Sequence, residues 1–229
     1  SNNLLAGSGG QSTGYEIEQS IRFNNDDTAY ITRTPLSAGS RTTWTSSFWF
    51  KRSSITETQV LWGAGTSGLN EVRFSGSGNK IYYDFSNLGI YPESTLVLRD
   101  PSSWYHLVTV WDTTNASASE RLRSFLNGQR VTLSANPALN ANSTWNNNVL
   151  HTIGISSYSV PNYYPFDGYM AEINFLDGVA YDASYFGETD SATGQWIPKK
   201  YTGGNYGTNG FYITGADSTA LGEDVRISG

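Results

Sequence analysis

Cysteine is absent from the 229 residues, which excludes disulfide frameworks, thiolate metal sites and cysteine nucleophiles at the outset. Charge is also scarce, at 15% of the chain, well below the usual share in soluble domains. The 14 Lys and Arg form no run and are outnumbered by 20 Asp and Glu, for a net charge of −6. Nucleic acid, whose backbone binds by exchanging counterions for a clustered cationic surface, is therefore not an expected partner, and neither is an anionic membrane surface. No apolar stretch approaches the roughly 18 residues of a membrane span, so no membrane insertion is expected. No amphipathic helix of three turns is visible, and no Gly-x-Ser-x-Gly elbow is present. The amino end carries neither Met nor a signal-peptide pattern, and a processed or excised piece is the expectation.

What is present is a chain with 14% aromatic residues, 24 Gly, 7 Trp and 15 Tyr, rich in Ser, Thr and Asn. Residues 1–15 read as a Ser/Gly-rich linker or docking arm. From Ser20 onward, short β-branched and aromatic segments recur between turn clusters, the spacing of a β-sandwich rather than of βαβ units. Strands are expected over 20–23, 29–32, 43–52, 60–62, 71–74, 80–85, 105–112, 122–126, 152–155 and 168–176. Period-two alternation sets Trp44, Ser46, Phe48 and Phe50 against Thr45, Ser47, Trp49 and Lys51, so both faces of one strand carry Trp. Asn127-Gly128 predicts a tight hairpin, because a type I′ turn requires positive φ at both central residues. A single helical turn is expected over 183–186.

Three blocks of this sequence, in this order, resemble the laminin G-like, concanavalin A-like jelly roll family. They are Ser20-Ile21-Arg22-Phe23 through Phe48-Trp49-Phe50-Lys51-Arg52; Trp104-Tyr105-His106-Leu107-Val108 with Phe125-Leu126-Asn127-Gly128; and Ile153-Gly154 with Phe166 to Gly178. The tail segments 186–190, 194–201 and 206–212 are similar to an extension found on such domains in virion proteins of tailed phages, many of them marine. The resemblance implies an all-β, two-sheet antiparallel sandwich over 16–182 and a phage-type extension over 183–229, packed on or continuing it. It implies a non-enzymatic virion surface module of a tail fibre, spike or capsid, working in particle assembly and attachment to host-surface glycans. Its expected partners are other virion proteins and a glycan, with homo-oligomers, trimers above all. A secreted bacterial adhesin or carbohydrate-binding module, and a glycoside hydrolase of the concanavalin A-like class, stand as alternatives.

Hydrolases of that class carry carboxylates in a Glu-x-Asp-x-x-Glu pattern. The nearest match here is Glu172-Ile173-Asn174-Phe175-Leu176-Asp177, in which Asn174 cannot exchange a proton and a retaining pair would need about 5 to 5.5 Å between carboxyl groups. We read Glu172 and Asp177 as strand and turn residues and expect no catalytic residue. His106 alternates with Trp104 and Val108 and is expected to be a satisfied core imidazole, while His151 has no obvious partner. Calcium, held by oxygen donors such as Asp26, Asp27 and Asp167 in rim loops, is an option the family leaves open; no continuous ligand motif is present, and no cofactor or metal ligand is assigned. Sugar rings stack their C–H faces on aromatic rings while amides and carboxylates meet the hydroxyls. Trp145, in a polar stretch with no alternating apolar partners, and Tyr163, between Pro161 and Pro165, are the first candidates for glycan binding, with Tyr158 and Tyr164 behind them. The same aromatics would suit a protein interface equally well.

Overall fold

The computed structural model describes residues 14–67, 69–76 and 78–226; most of the expected arm over 1–15 lies outside them. Among the described residues, fifteen strands account for nearly all regular structure, with three single-turn 3-10 helices between them. The first nine are β1 (Ile21–Phe23), β2 (Ile31–Arg33), β3 (Thr43–Arg52), β4 (Gln59–Ala64), β5 (Asn70–Phe74), β6 (Lys80–Phe85), β7 (Glu93–Val97), β8 (Tyr105–Asp112) and β9 (Leu122–Leu126). The remainder are β10 (Gln129–Val131), β11 (His151–Ile153), β12 (Gly168–Asp177), β13 (Gly187–Thr189), β14 (Trp196–Pro198) and β15 (Phe211–Ile213). A seven-stranded sheet runs β1-β12-β3-β8-β9-β10, with β15 also on β12, and a six-stranded sheet runs β2-β11-β4-β5-β6-β7. Among the described residues, every strand pairing within these two sheets is antiparallel. The expected two-sheet sandwich is therefore the fold.

Alternation places the two inner faces against each other. Trp44, Phe48 and Phe50 of β3, Leu107 and Trp111 of β8, Trp62 of β4, Val72 and Phe74 of β5, and Tyr83 and Phe85 of β6 form one buried cluster. Trp44 lies parallel to Trp111 with ring centroids 5.9 Å apart. The turn between β9 and β10 has φ of +47° at Asn127 and +77° at Gly128, the twist that a two-residue hairpin needs. The amide oxygen of Asn127 also accepts from the backbone N–H of His106 at 2.7 Å, tying the turn to the neighbouring strand.

The outer face of the seven-stranded sheet is covered as well. Val108, Val110 and Leu176 pack against Ala183 and Phe186, with Tyr201 and Tyr206 alongside. Trp49 and Ala171 pack against Ile17. The β13–β14 hairpin brings Trp196 over β8, where its indole N–H donates to Nδ1 of His106 at 2.9 Å. Residues 183–213 thus cover one sheet face and then, through β15, add a strand beside β12. This explains why both faces of β3 carry Trp: Trp44 belongs to the interior and Trp49 to the layer beneath the cover.

Candidate functional site

The outer face of the six-stranded sheet carries the chemistry. In β5, Val72 and Phe74 point inward, so Glu71 and Arg73 point out; in β6, Tyr83 and Phe85 point inward, so Tyr82 and Asp84 point out. Register sets Glu71 opposite Asp84 and Arg73 opposite Tyr82. The Arg73 guanidinium reaches Glu71 Oε2 and Asp84 Oδ2, each at 3.2 Å. It also lies over two rings, 4.8 Å from the centroid of Tyr82 and 5.7 Å from that of Tyr164. Two carboxylates and two aromatic faces therefore hold one cation in place.

The loop between β11 and β12 completes the surface. Its backbone is anchored to β4 by the Val60 N–H to Tyr164 carbonyl bond at 2.9 Å and closed on itself by the Ser156 N–H to Tyr163 carbonyl bond at 3.1 Å. Tyr163 and Tyr164 have ring centroids 4.0 Å apart, and Tyr158 lies 6.0 Å from Tyr163 with half of its surface exposed. Ser156 donates to Glu71 Oε1. Glu71 is wholly buried, and burial pushes its carboxyl pKa up while the Ser156 hydrogen bond and Arg73 oppose that rise. Burial likewise raises the Tyr82 phenol, with Asp84 adding to the rise, Arg73 opposing it and Tyr91 adding a little more.

Three of the four aromatic candidates, Tyr158, Tyr163 and Tyr164, therefore meet in one loop beside these strand residues. Trp145 does not. Expected to be exposed, it is 1% exposed, with ring centroids 5.1 Å from Trp44, 5.7 Å from Trp62 and 5.3 Å from Phe85. A loop side chain needs no strand periodicity to enter the gap between two sheets, and a large flat ring closes this one. No part of it is available to stack on a sugar, so it is removed from the candidate site. Its neighbour Asn146, with φ of +64°, donates to Asp177 Oδ1 at 2.6 Å. Asp177 also accepts from the Ser40 N–H at 2.8 Å and the Asn209 N–H at 3.1 Å, tying three loops together at the sandwich rim.

Glu71, Arg73, Tyr82 and Asp84 were absent from the sequence-based candidates. Period-two alternation in Glu71-Val72-Arg73-Phe74 and Tyr82-Tyr83-Asp84-Phe85 is the signal that could have found them, since it aligns four polar groups on one face.

The other chemical groups are engaged elsewhere. A β-bulge falls between Ala171 and Asn174, and Glu172 within it has φ of +51°. Both Glu172 carboxylate oxygens accept from the Tyr212 hydroxyl, at 2.8 and 2.7 Å, on the covered outer face of the seven-stranded sheet. Asp177 lies in the rim knot, so the two carboxylates do not face a common space. His106 is fully buried; because its Nδ1 accepts from Trp196, its Nε2 donates to Ser47 Oγ at 2.8 Å. It is the satisfied imidazole that alternation implies, and burial lowers its pKa to about 3. His151 donates from Nδ1 to the Val149 carbonyl and accepts at Nε2 from the Asn146 N–H; its pKa falls to about 4, chiefly by burial. Asp167 is paired with Arg22 at 2.7 Å, and Asp27 accepts from Asn24 at 2.6 Å. Among the described residues, no three His, Asp or Glu side chains gather as metal ligands.

A family model described as the concanavalin A-like lectin/glucanases superfamily matches residues 23–184. Among solved structures, a native heptameric SAP-like pentraxin from Limulus polyphemus is similar at 14% identity, with 71% of this chain and 73% of that chain covered and a TM-score of 0.50. Domain 4 of AbnA, a GH43 extracellular arabinanase from Geobacillus stearothermophilus, in complex with arabinotriose, is similar at 17% identity, over 71% of this chain and 72% of that one, with a TM-score of 0.50. Mouse laminin alpha1 chain domains LG4-5 are similar at 13% identity and a TM-score of 0.50, over 83% of this chain and 48% of that one. At such identities the likeness speaks for the fold alone. No curated protein matches the sequence.

Proposed function

The chain belongs to the concanavalin A-like lectin/glucanases superfamily, and from that premise we propose that it is a non-enzymatic glycan-binding module that takes neutral sugars on the outer face of β4 to β6. The observation that carries this reading is the fixed Arg73, held by Glu71 and Asp84 and lying over the Tyr82 and Tyr164 rings, with Tyr163 against Tyr164 and Tyr158 against Tyr163. Rings held this way lose little freedom on binding, and the part-exposed Arg73 guanidinium edge offers donors to sugar hydroxyls while the buried Glu71 and Asp84 carboxylates hold it in place. Arg73 is already engaged by Glu71 and Asp84, and the chain carries a net charge of −6, which disfavours acidic glycans. The arabinotriose held by the AbnA domain supports a neutral-sugar ligand by analogy of fold.

The same reading extends to the setting. Segments 186–190, 194–201 and 206–212, which resemble an extension of phage virion proteins, supply β13, β14 and β15 and lie on or beside the seven-stranded sheet. That leaves the glycan face on the opposite sheet free, as an attachment module on a virion surface requires, whether as a trimer or another oligomer. Immunogold labelling of intact particles tests this part.

Glycan-array and calorimetric binding test the site. Losing a stacked ring costs about 1 kcal/mol or more, hence roughly tenfold in affinity. Tyr163→Ala and Tyr82→Ala are expected to weaken binding by that factor with thermal midpoints near the parent, and unchanged binding in both overturns the site. The hydrolase alternative has one observation on its side, a buried acid with raised pKa, Glu71, directly across from Asp84. Ser156 covers that acid, so it cannot reach a glycosidic oxygen as it stands. Reducing-end release from a polysaccharide panel that disappears in Glu71→Gln would replace the binding reading with the catalytic one.

A further inference from the structure

At the sandwich edge formed by β2, β11 and β15 lies a cavity of about 240 Å³, closed on one side by the tail at Gly222 and Asp224. Its walls include Ile31, Trp62, Ile153, Phe175 and Phe211. Trp62 stands edge-on to Phe175 at 5.0 Å and to Phe211 at 6.1 Å, so much of the lining is aromatic. Cavities of about 150 Å³ with such linings admit benzene, so this one has room for a larger ring system.

Two polar groups in the lining are left over. Trp62 is 3% exposed and its indole N–H has no hydrogen-bond partner among the described residues. Arg33 donates only to main-chain carbonyls, of Asn209 at 2.9 Å and Gly210 at 3.5 Å, and lies over the Phe211 ring. No carboxylate forms an ion pair with it among the described residues. The acid in the same lining, Asp224, is taken by Arg226 at 2.6 Å and by the Tyr212 N–H at 3.0 Å. Burial and the nearby Arg226 lower the Arg33 pKa, and Asp224, which forms no ion pair with it, opposes them only in part. His151, Asn146 and Asn209 also line the space, but both His151 nitrogens are used and the two amides are committed to the Asp177 knot and its neighbouring carbonyls.

We propose that this cavity is a second binding site, separate from the glycan face, for a small aryl carboxylate whose ring lies among Trp62, Phe175 and Phe211 and whose carboxylate pairs with Arg33. The ligand neutralises the one cation in the lining without a carboxylate partner and fills an apolar space too large to stay well packed. An acceptor atom on its ring system would also meet the Trp62 N–H.

The test uses 2-naphthoate and its uncharged analogue 2-naphthalenemethanol, titrated calorimetrically into the full chain with thermal midpoints recorded in parallel. Naphthoate is expected to bind and raise the midpoint, and to bind at least tenfold more tightly than the alcohol. Arg33→Gln should bring the two affinities together, while Arg33→Lys, which keeps the charge, should retain the preference for the acid. If Arg33→Gln does not fold, the acid-to-alcohol ratio on the parent and on Arg33→Lys decides. No naphthoate binding at 1 mM, equal affinity for acid and alcohol, or naphthoate binding lost in Tyr163→Ala would each overturn the proposal. The last outcome would assign the ligand to the tyrosine loop, and loss of glycan binding alone would leave this site standing.

Discussion

Acid should weaken this fold through two buried histidines. His106 is fully buried between Ser47 and Trp196, and His151 is 8% exposed between Val149 and Asn146; both are neutral, with every ring nitrogen used. Their folded pKa values, about 3 and about 4, lie below the ordinary 6.5. Stability from a depressed pKa is fully present above the unfolded value and is lost as pH falls toward the folded one. Between pH 7.5 and pH 4.5 the unfolded chain takes up a proton at each site and the folded chain takes up little, so each histidine costs on the order of 2–3 kcal/mol and the pair roughly twice that. That is comparable with the whole stability of an ordinary domain, ~5–15 kcal/mol. Glu71 and Glu172 work in the opposite sense: burial raises both, so their contribution is greatest below about 4.5 and is lost as pH rises. The variant His106→Gln, which keeps a donor and an acceptor in the ring's place, separates the two effects. Urea denaturation of parent and variant at several pH values should give a stability difference that shifts by roughly 2–3 kcal/mol between pH 7.5 and 4.5. Parallel pH profiles for the two proteins would refute the assignment of a buried, neutral His106.

Trp145→Ala should cost about 3–5 kcal/mol, since it empties a site bounded by Trp44, Trp62 and Phe85; a thermal midpoint close to the parent would show that the ring is not part of the core. Asp177→Ala leaves the Ser40 and Asn209 N–H groups and the Asn146 amide without their acceptor, and urea denaturation should report a loss of about 3 kcal/mol or more. Gly128→Ala should destabilise by roughly 1–3 kcal/mol, because a Cβ at φ of +77° would stand 2.4 Å from the Trp196 ring; an unchanged fluorescence spectrum and midpoint would count against that contact.

The cover on the seven-stranded sheet has a functional consequence. In a bare sandwich both outer faces compete as binding surfaces, but here Val108, Val110 and Trp49 lie beneath residues of the tail and of the chain before β1. Glu172, the acid that the sequence pattern singles out, sits beneath the same cover and is bound to Tyr212. The six-stranded sheet is the face that retains charged and aromatic groups in reach of solvent, and the tyrosine loop extends it.

Local patterns determined a large part of this protein from the sequence alone. Strands 43–52, 80–85, 105–112 and 122–126 follow from alternation, and the β9–β10 hairpin from Asn127-Gly128, because strand pleat and turn sterics act over a few neighbouring residues. The burial of His106 was legible for the same reason. Strands β7, β13, β14 and β15 were not, since each is only three to five residues long, too short for alternation to stand out, and β15 exists through a partner, β12, distant in the chain. Tertiary structure alone decided that Trp145 leaves its polar loop for the core, because a gap between sheets is filled by whichever side chain can reach it, whatever its sequence neighbours. It also decided that Tyr163 and Tyr164 stand beside Glu71 and Arg73, more than eighty residues away: strand order and loop closure fix that meeting, and neither is written in any short segment of the chain.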